Sequence, residues 1–165
     1  MKLWVTGGLA LAAATVAAIL LAGPPQARGP EPIAYGVDTC DECHMILTRP
    51  GFGGELRTAD GAVKKFDDVT CLLRAMVKQH AEMPEAWVED HGGGGFVPLL
   101  GATLVHTAAD ASPMGHGVLA FADEAGARDY AAEHGGTIVA LESLVRDPGA
   151  LARADAPVGK GSKSP

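Results

Sequence analysis

The sequence predicts an α+β protein made of two small consecutive ββαβ units behind an N-terminal apolar helix. Three observations carry that reading. Residues 3–22 are uncharged and mostly Ala, Leu and Val, long enough for an export signal or a membrane-spanning helix. A turn-flanked pair of short alternating segments is followed by one strongly periodic helix and a further short apolar segment. The same order of patterns then returns in the second half of the chain.

Lys2 precedes the apolar run, and Pro24, Pro25, Gln26, Ala27 and Arg28 follow it. A basic start and an apolar run place the N-terminus in the cytoplasm and the body outside it. Residues 1–27 are therefore expected to be a signal peptide or a retained anchor. The body would lie in the periplasm or at the outer face of the cytoplasmic membrane, with membrane attachment through residues 3–22. Setting them aside leaves about 130 residues, enough for one ordinary domain or two very small ones. The net charge of the whole chain is -7, and residues 1–27 contribute only Lys2, so the remainder carries -8. That acidity argues against nucleic acid as a partner.

Residues 28–37, rich in Pro and Gly, read as a linker. The domain proper is expected over 38–147, with a first unit at about 45–90 and a second at about 100–145. Met45-Ile46-Leu47-Thr48 reads as a short strand, Glu55–Thr58 as another, Asp60-Gly61 as a hairpin turn and Val63–Phe66 as the returning strand. Asp67 or Asp68 caps a helix whose Val69, Leu72, Leu73, Met76 and Val77 share one face. Pro84 stops any continuation, and Ala86–Val88 reads as a strand. Gly92–Gly95 reads as a joint between halves. Ala102–His106 and Val118–Phe121 read as strands around the loop Pro113–Gly117. Residues 123–134 read as a helix stopped by Gly135-Gly136, and Thr137–Leu141 as the closing strand. Residues 148–165, rich in Ala, Gly, Pro and Ser, are expected to be a flexible tail.

The chemistry concentrates in Cys40-Asp41-Glu42-Cys43-His44-Met45. Two residues between cysteines let both sulfurs reach one ion, and thiolate with thioether favours Cu(I). Met45 follows on, and Met114 sits in a loop whose neighbours Gly115 and Gly117 permit close approach. His44 and His116 are further donors. The candidate ligands are thus Cys43, Met45, Met114, Cys40, His116 and His44, and the expected cargo is Cu(I). Cys71 is read as a small packed residue, or as a third sulfur ligand. Other readings stay open. Cys40-x-x-Cys43-His44 is also the attachment pattern of c-type haem, although Pro and Gly precede it and only 5% of residues are aromatic. A structural zinc on the three cysteines and a histidine leaves both methionines unexplained. A thiol redox pair or a local disulfide needs no ion at all. No Ser/His/Asp or paired-carboxylate arrangement stands out, so no catalytic residue is assigned.

Asp38-Thr39-Cys40-Asp41-Glu42-Cys43-His44-Met45, then Asp60-Gly61, Lys65-Phe66-Asp67-Asp68 with Cys71, Met114-Gly115 and His134-Gly135-Gly136 together resemble the NosL family of nitrous-oxide-reductase accessory proteins. The resemblance spans about residues 37–145. It implies a fold of two ββαβ units and a Cu(I) carrier, not an enzyme. It also implies a copper donor and a copper-enzyme client, nitrous oxide reductase, in denitrification. Cys43, Met45 and Met114 match the family's copper-binding positions, with Cys40 and His116 beside them. Family members are commonly lipoproteins; the lipid-bearing cysteine is missing from this sequence.

Overall fold

The computed structural model describes residues 29–79 and 85–147. The expected export segment 1–27, the stop at Pro84 and the tail 148–165 lie outside the described residues. Strands β1 (Gly54–Arg57), β2 (Val63–Phe66), β3 (Glu85–Glu89) and β4 (Phe96–Pro98) form an antiparallel sheet of order β2-β1-β3-β4. Strands β5 (Thr103–His106), β6 (Val118–Phe121) and β7 (Thr137–Val139) form a second sheet of order β6-β5-β7. Helix α1 (Val69–Gln79) follows β2, α2 (Glu124–His134) follows β6, and α3 (Leu141–Arg146) closes the chain's described part. Both units therefore run strand, strand, helix, strand, with the first strand central and its two partners on either side.

Three local differences from the sequence reading have clear causes. Residues 45–48 make a single bridge, Thr39 to Ile46, and no strand. Gly92–Gly95 is the turn of a hairpin between β3 and β4, with Asp90 N–H bonded to Gly95 C=O at 2.8 Å. A run of four glycines reports chain reversal as readily as a joint, and Phe96-Val97-Pro98 is too short to register as a strand from pattern alone. Leu141 opens α3 and does not extend β7.

The turn at Asp60-Gly61 forms as expected. Gly61 has φ 85°, and Thr58 N–H reaches Ala62 C=O at 2.9 Å. The two helices start alike. Asp68 accepts from Thr70 N–H at 2.7 Å, and Asp123 accepts from Gly126 N–H at 2.8 Å. Each capping aspartate stands two residues after the phenylalanine that ends the preceding strand, Phe66 or Phe121.

One core joins the units. Leu56, Phe66, Leu72 and Val88 of the first pack with Leu104, Val118, Ala120 and Leu144 of the second. Helix α1 lies between them, touching β1 and β2 on one side and β6 and α3 on the other. Its first five residues, Val69 to Leu73, are all buried. A Cβ on Gly54 would stand 2.8 Å from Leu72 Cδ1 and 2.9 Å from Trp87 C=O. Gly54→Val is therefore expected to lower stability by about 1–3 kcal/mol through overpacking, read as a lower urea midpoint at unchanged slope.

Residues 29–38 have no helix or strand but are tied to the first sheet. Glu31 N–H meets the buried Glu55 carboxylate at 2.6 Å, and the Tyr35 hydroxyl donates to Glu89. Lys65 Nζ bonds Pro32 C=O at 2.8 Å and Asp38 at 2.7 Å. Proline and glycine here mark irregular backbone, and the partners that anchor it, Glu55, Lys65 and Glu89, lie elsewhere in the sequence.

Candidate metal centre

The Cys40–Met45 loop is a tight reversal. Cys40 N–H bonds Met45 C=O at 2.8 Å, and His44 N–H returns to Cys40 C=O at 2.9 Å. His44 closes the turn with φ 62°, the one positive φ at a non-glycine among the described residues. The loop then docks on the free edge of β2. Asp41 N–H donates to Lys65 C=O at 2.9 Å, and Lys65 N–H donates to the Asp41 carboxylate at 2.9 Å. Lys65 is two residues before Asp67, so this edge pairing carries both loop cysteines to the start of α1.

There the Sγ atoms of Cys40, Cys43 and Cys71 and a carboxylate oxygen of Asp67 all lie within 4.8 Å of one another. Cys40 and Cys71 are 0% exposed and Asp67 4%, whereas Cys43 is half-buried. All three thiols are free. Cys43 Sγ–H donates to Asp67 Oδ2 at 3.3 Å. Asp67 Oδ1 is buried without a hydrogen-bond partner, an arrangement that is costly unless something else meets the oxygen.

The three thiols differ in acidity. The S–H of Cys71 and, against burial, the backbone N–H groups of Cys43, Asp67 and Glu42 pull Cys40 down to about 6. Burial pushes Cys43 up to about 12. Cys71 is pushed up by its hydrogen bond to Cys40 and then by burial. Cys40 is thus the most readily ionised of the three sulfurs, with the other two beside it. A soft cation fits this donor set, since its binding displaces thiol protons.

The cluster includes neither His44 nor His116. Met45 is 44% exposed, and His44 is exposed. Met114 is half-buried against the shared core, and its N–H bonds Asp68 Oδ2 at 3.2 Å. Asp68, fully buried, therefore holds the start of α1 with one oxygen and the second unit's loop with the other. Asp68→Ala strips a helix cap and a buried loop contact together and is expected to cost about 2–4 kcal/mol. Asp68→Asn, which keeps an accepting oxygen, is expected to cost less in the same unfolding measurement.

His116 is 9% exposed. Its Nε2 meets Arg74 Nη2 at 2.8 Å. Arginine has no acceptor, so Nε2 accepts and the ring proton sits on Nδ1, which is buried without a partner. Burial holds the ring below the usual histidine range. With Arg74 in this position, neither ring nitrogen of His116 offers a free lone pair.

Cys71 is packed in the core, as read, and its sulfur also lies in the cluster. Asp67, read only as a possible cap, belongs there too, while Asp68 does the capping.

A model of the NosL family matches residues 34–148. Among solved structures, the copper chaperone NosL from Shewanella denitrificans superposes with a TM-score of 0.63 at 22% identity, covering 72% of this chain and 96% of that one. That likeness is one of fold. A search of curated proteins finds no match.

Proposed function

Because this chain belongs to the NosL family, we propose that it is a copper chaperone that carries Cu(I) on the cysteine cluster and passes it to a copper enzyme outside the cytoplasm. The reading rests on one observation: Cys40 and Cys43 from a loop, and Asp67 and Cys71 from the start of α1, bring their ligand atoms within 4.8 Å. Thiolates favour Cu(I) over harder ions.

Cys40 and Cys71 form the inner wall, and Cys43 faces outward. Cargo held on all three cysteine sulfurs leaves by Cys43, the one cysteine a partner's ligand can approach. Met45, an exposed thioether two residues further along the chain, serves as the first or last protein donor. Met114, on the loop fixed by Asp68, supplies a thioether from the second unit. Thioethers carry no proton and form no disulfides, which suits transient contact with a soft ion. His44 and His116 are not needed by this scheme. The client is nitrous oxide reductase, at its copper–sulfur centre, and residues 3–22 would hold the carrier at the outer face of the cytoplasmic membrane or have delivered it to the periplasm.

Anaerobic competition of the reduced full chain against a chromophoric Cu(I) chelator is expected to show a single tight equivalent per chain. Failure to compete would end the copper reading. If Zn(II) is held as well, and Met45→Leu and Met114→Leu lose nothing with either ion, the cluster is a structural zinc site. For the client, Cu(I)-loaded chain should restore copper-free nitrous oxide reductase where the unloaded chain does not.

A further inference from the structure

The cluster has a second chemistry open to it when it holds no ion. Of the chain's three sulfur-bearing cysteines, Cys40 and Cys71 are 0% exposed, and only Cys43 reaches the surface. An incoming disulfide can therefore touch Cys43 alone. The mixed disulfide so formed would stand within 4.8 Å of two buried thiols, which is the arrangement that lets a neighbouring sulfur expel the incoming group.

We infer that the empty cluster is a thiol–disulfide exchange centre, with Cys43 as the entry sulfur and Cys40 as the resolving sulfur, oxidised by small-molecule or protein disulfides and reduced by dithiols. Cys40 is assigned as the resolving sulfur because it shares the reversal with Cys43. The bonds Cys40 N–H to Met45 C=O and His44 N–H to Cys40 C=O hold the ends of that turn together, so the bridge closes a small preformed ring. Cys71 sits in the first turn of α1 and is held there by the packed core.

The reaction balances in two exchanges. Cys43 passes its proton to the Asp67 carboxylate, to which it already donates at 3.3 Å, and attacks one sulfur of an oxidant RSSR; Cys43–S–S–R forms, and the first RSH leaves with that proton. Cys40 then attacks the Cys43 sulfur; Cys40–S–S–Cys43 forms, and the second RSH leaves with the proton from Cys40. Two protein thiols lose two electrons in all, and one external disulfide gains them. A dithiol runs both steps backwards. Cys71 keeps its thiol throughout.

The test needs no copper, so its outcome is separate from that of the chaperone reading. The reduced, metal-free full chain is treated with oxidised glutathione, alkylated after unfolding and digested with trypsin. Peptide 29–57 carries both Cys40 and Cys43, and peptide 66–74 carries Cys71. The expected product is a bridge inside peptide 29–57, with Cys71 alkylated, and full reversal by a dithiol. Cys40→Ser should stop with glutathione on Cys43, and Cys71→Ser should close as the wild type does. Thiols left unreacted, a lasting glutathione adduct on wild-type Cys43, or a bridge joining the two peptides would each overturn the assignment. The wild-type map alone decides, so a variant that fails to fold costs nothing.

Discussion

In a Cys43→Ser protein, Cu(I) affinity is expected to fall by more than about 100-fold, beyond the roughly 10–100-fold that loss of an outer partner costs a metal site. Serine keeps the volume and a donor to Asp67 but removes the soft sulfur. Asp67→Asn is the informative companion. The Asp67 carboxylate accepts from Cys43 at 3.3 Å and has a second oxygen buried without a partner. If it orients Cys43 for the ion, its amide should weaken binding by about 10–100-fold, less than Cys43→Ser. Chelator competition measures both. Equal affinities for wild type and Cys43→Ser would remove the cluster from copper handling altogether.

Gly117→Ala is expected to be the most damaging single methyl in the described chain. Gly117 has φ 61°, and a Cβ there would stand 1.9 Å from Thr107 C=O, a backbone atom that cannot rotate away. Left-handed strain adds to overpacking, for about 3 kcal/mol or more in total. Thr107 N–H also bonds Gly117 C=O at 2.9 Å, so relief of the clash breaks the pairing that continues β5 and β6. Gly115→Ala isolates the strain component: its φ is 72° and nothing lies within 4 Å of the added carbon. It should cost only about 1–2 kcal/mol. Urea midpoints separate the two, and similar losses would refute the close-approach account.

Much of this architecture was readable from residue patterns. Val63–Phe66, Val118–Phe121 and the helix at 69–79 declare themselves through alternation, turn glycines and a 3.6-residue stripe. Cys40 and Cys43 declare their chemistry through spacing. What escaped the reading depends on tertiary packing. Cys71 lies opposite the apolar stripe of its helix, which suggests a solvent-facing or sheet-facing position only if one side of the helix is covered. Because the helix is touched by β1, β2, β6 and α3, Cys71 is buried all the same and meets the loop cysteines. Strand β4 is three residues long and ends in proline, so its pairing with β3 leaves little trace in composition. The contact of Arg74 with His116 joins positions 42 apart in sequence, and no local pattern announces it.

The twin beginnings of the two helices carry one more consequence. Aligned on their phenylalanines and capping aspartates, Phe66-Asp67-Asp68-Val69-Thr70-Cys71 faces Phe121-Ala122-Asp123-Glu124-Ala125-Gly126. The corner is built the same way twice, yet where the first copy bears a carboxylate and a thiol, the second bears a methyl and a hydrogen. The molecule thus contains its own blank: a strand-to-helix corner of the same design whose positions 122 and 126 carry no side-chain ligand atom. Sulfur at this corner is an addition to a scaffold that does not require it, and grafting Asp and Cys at positions 122 and 126 would ask whether the second corner can be furnished in the same manner.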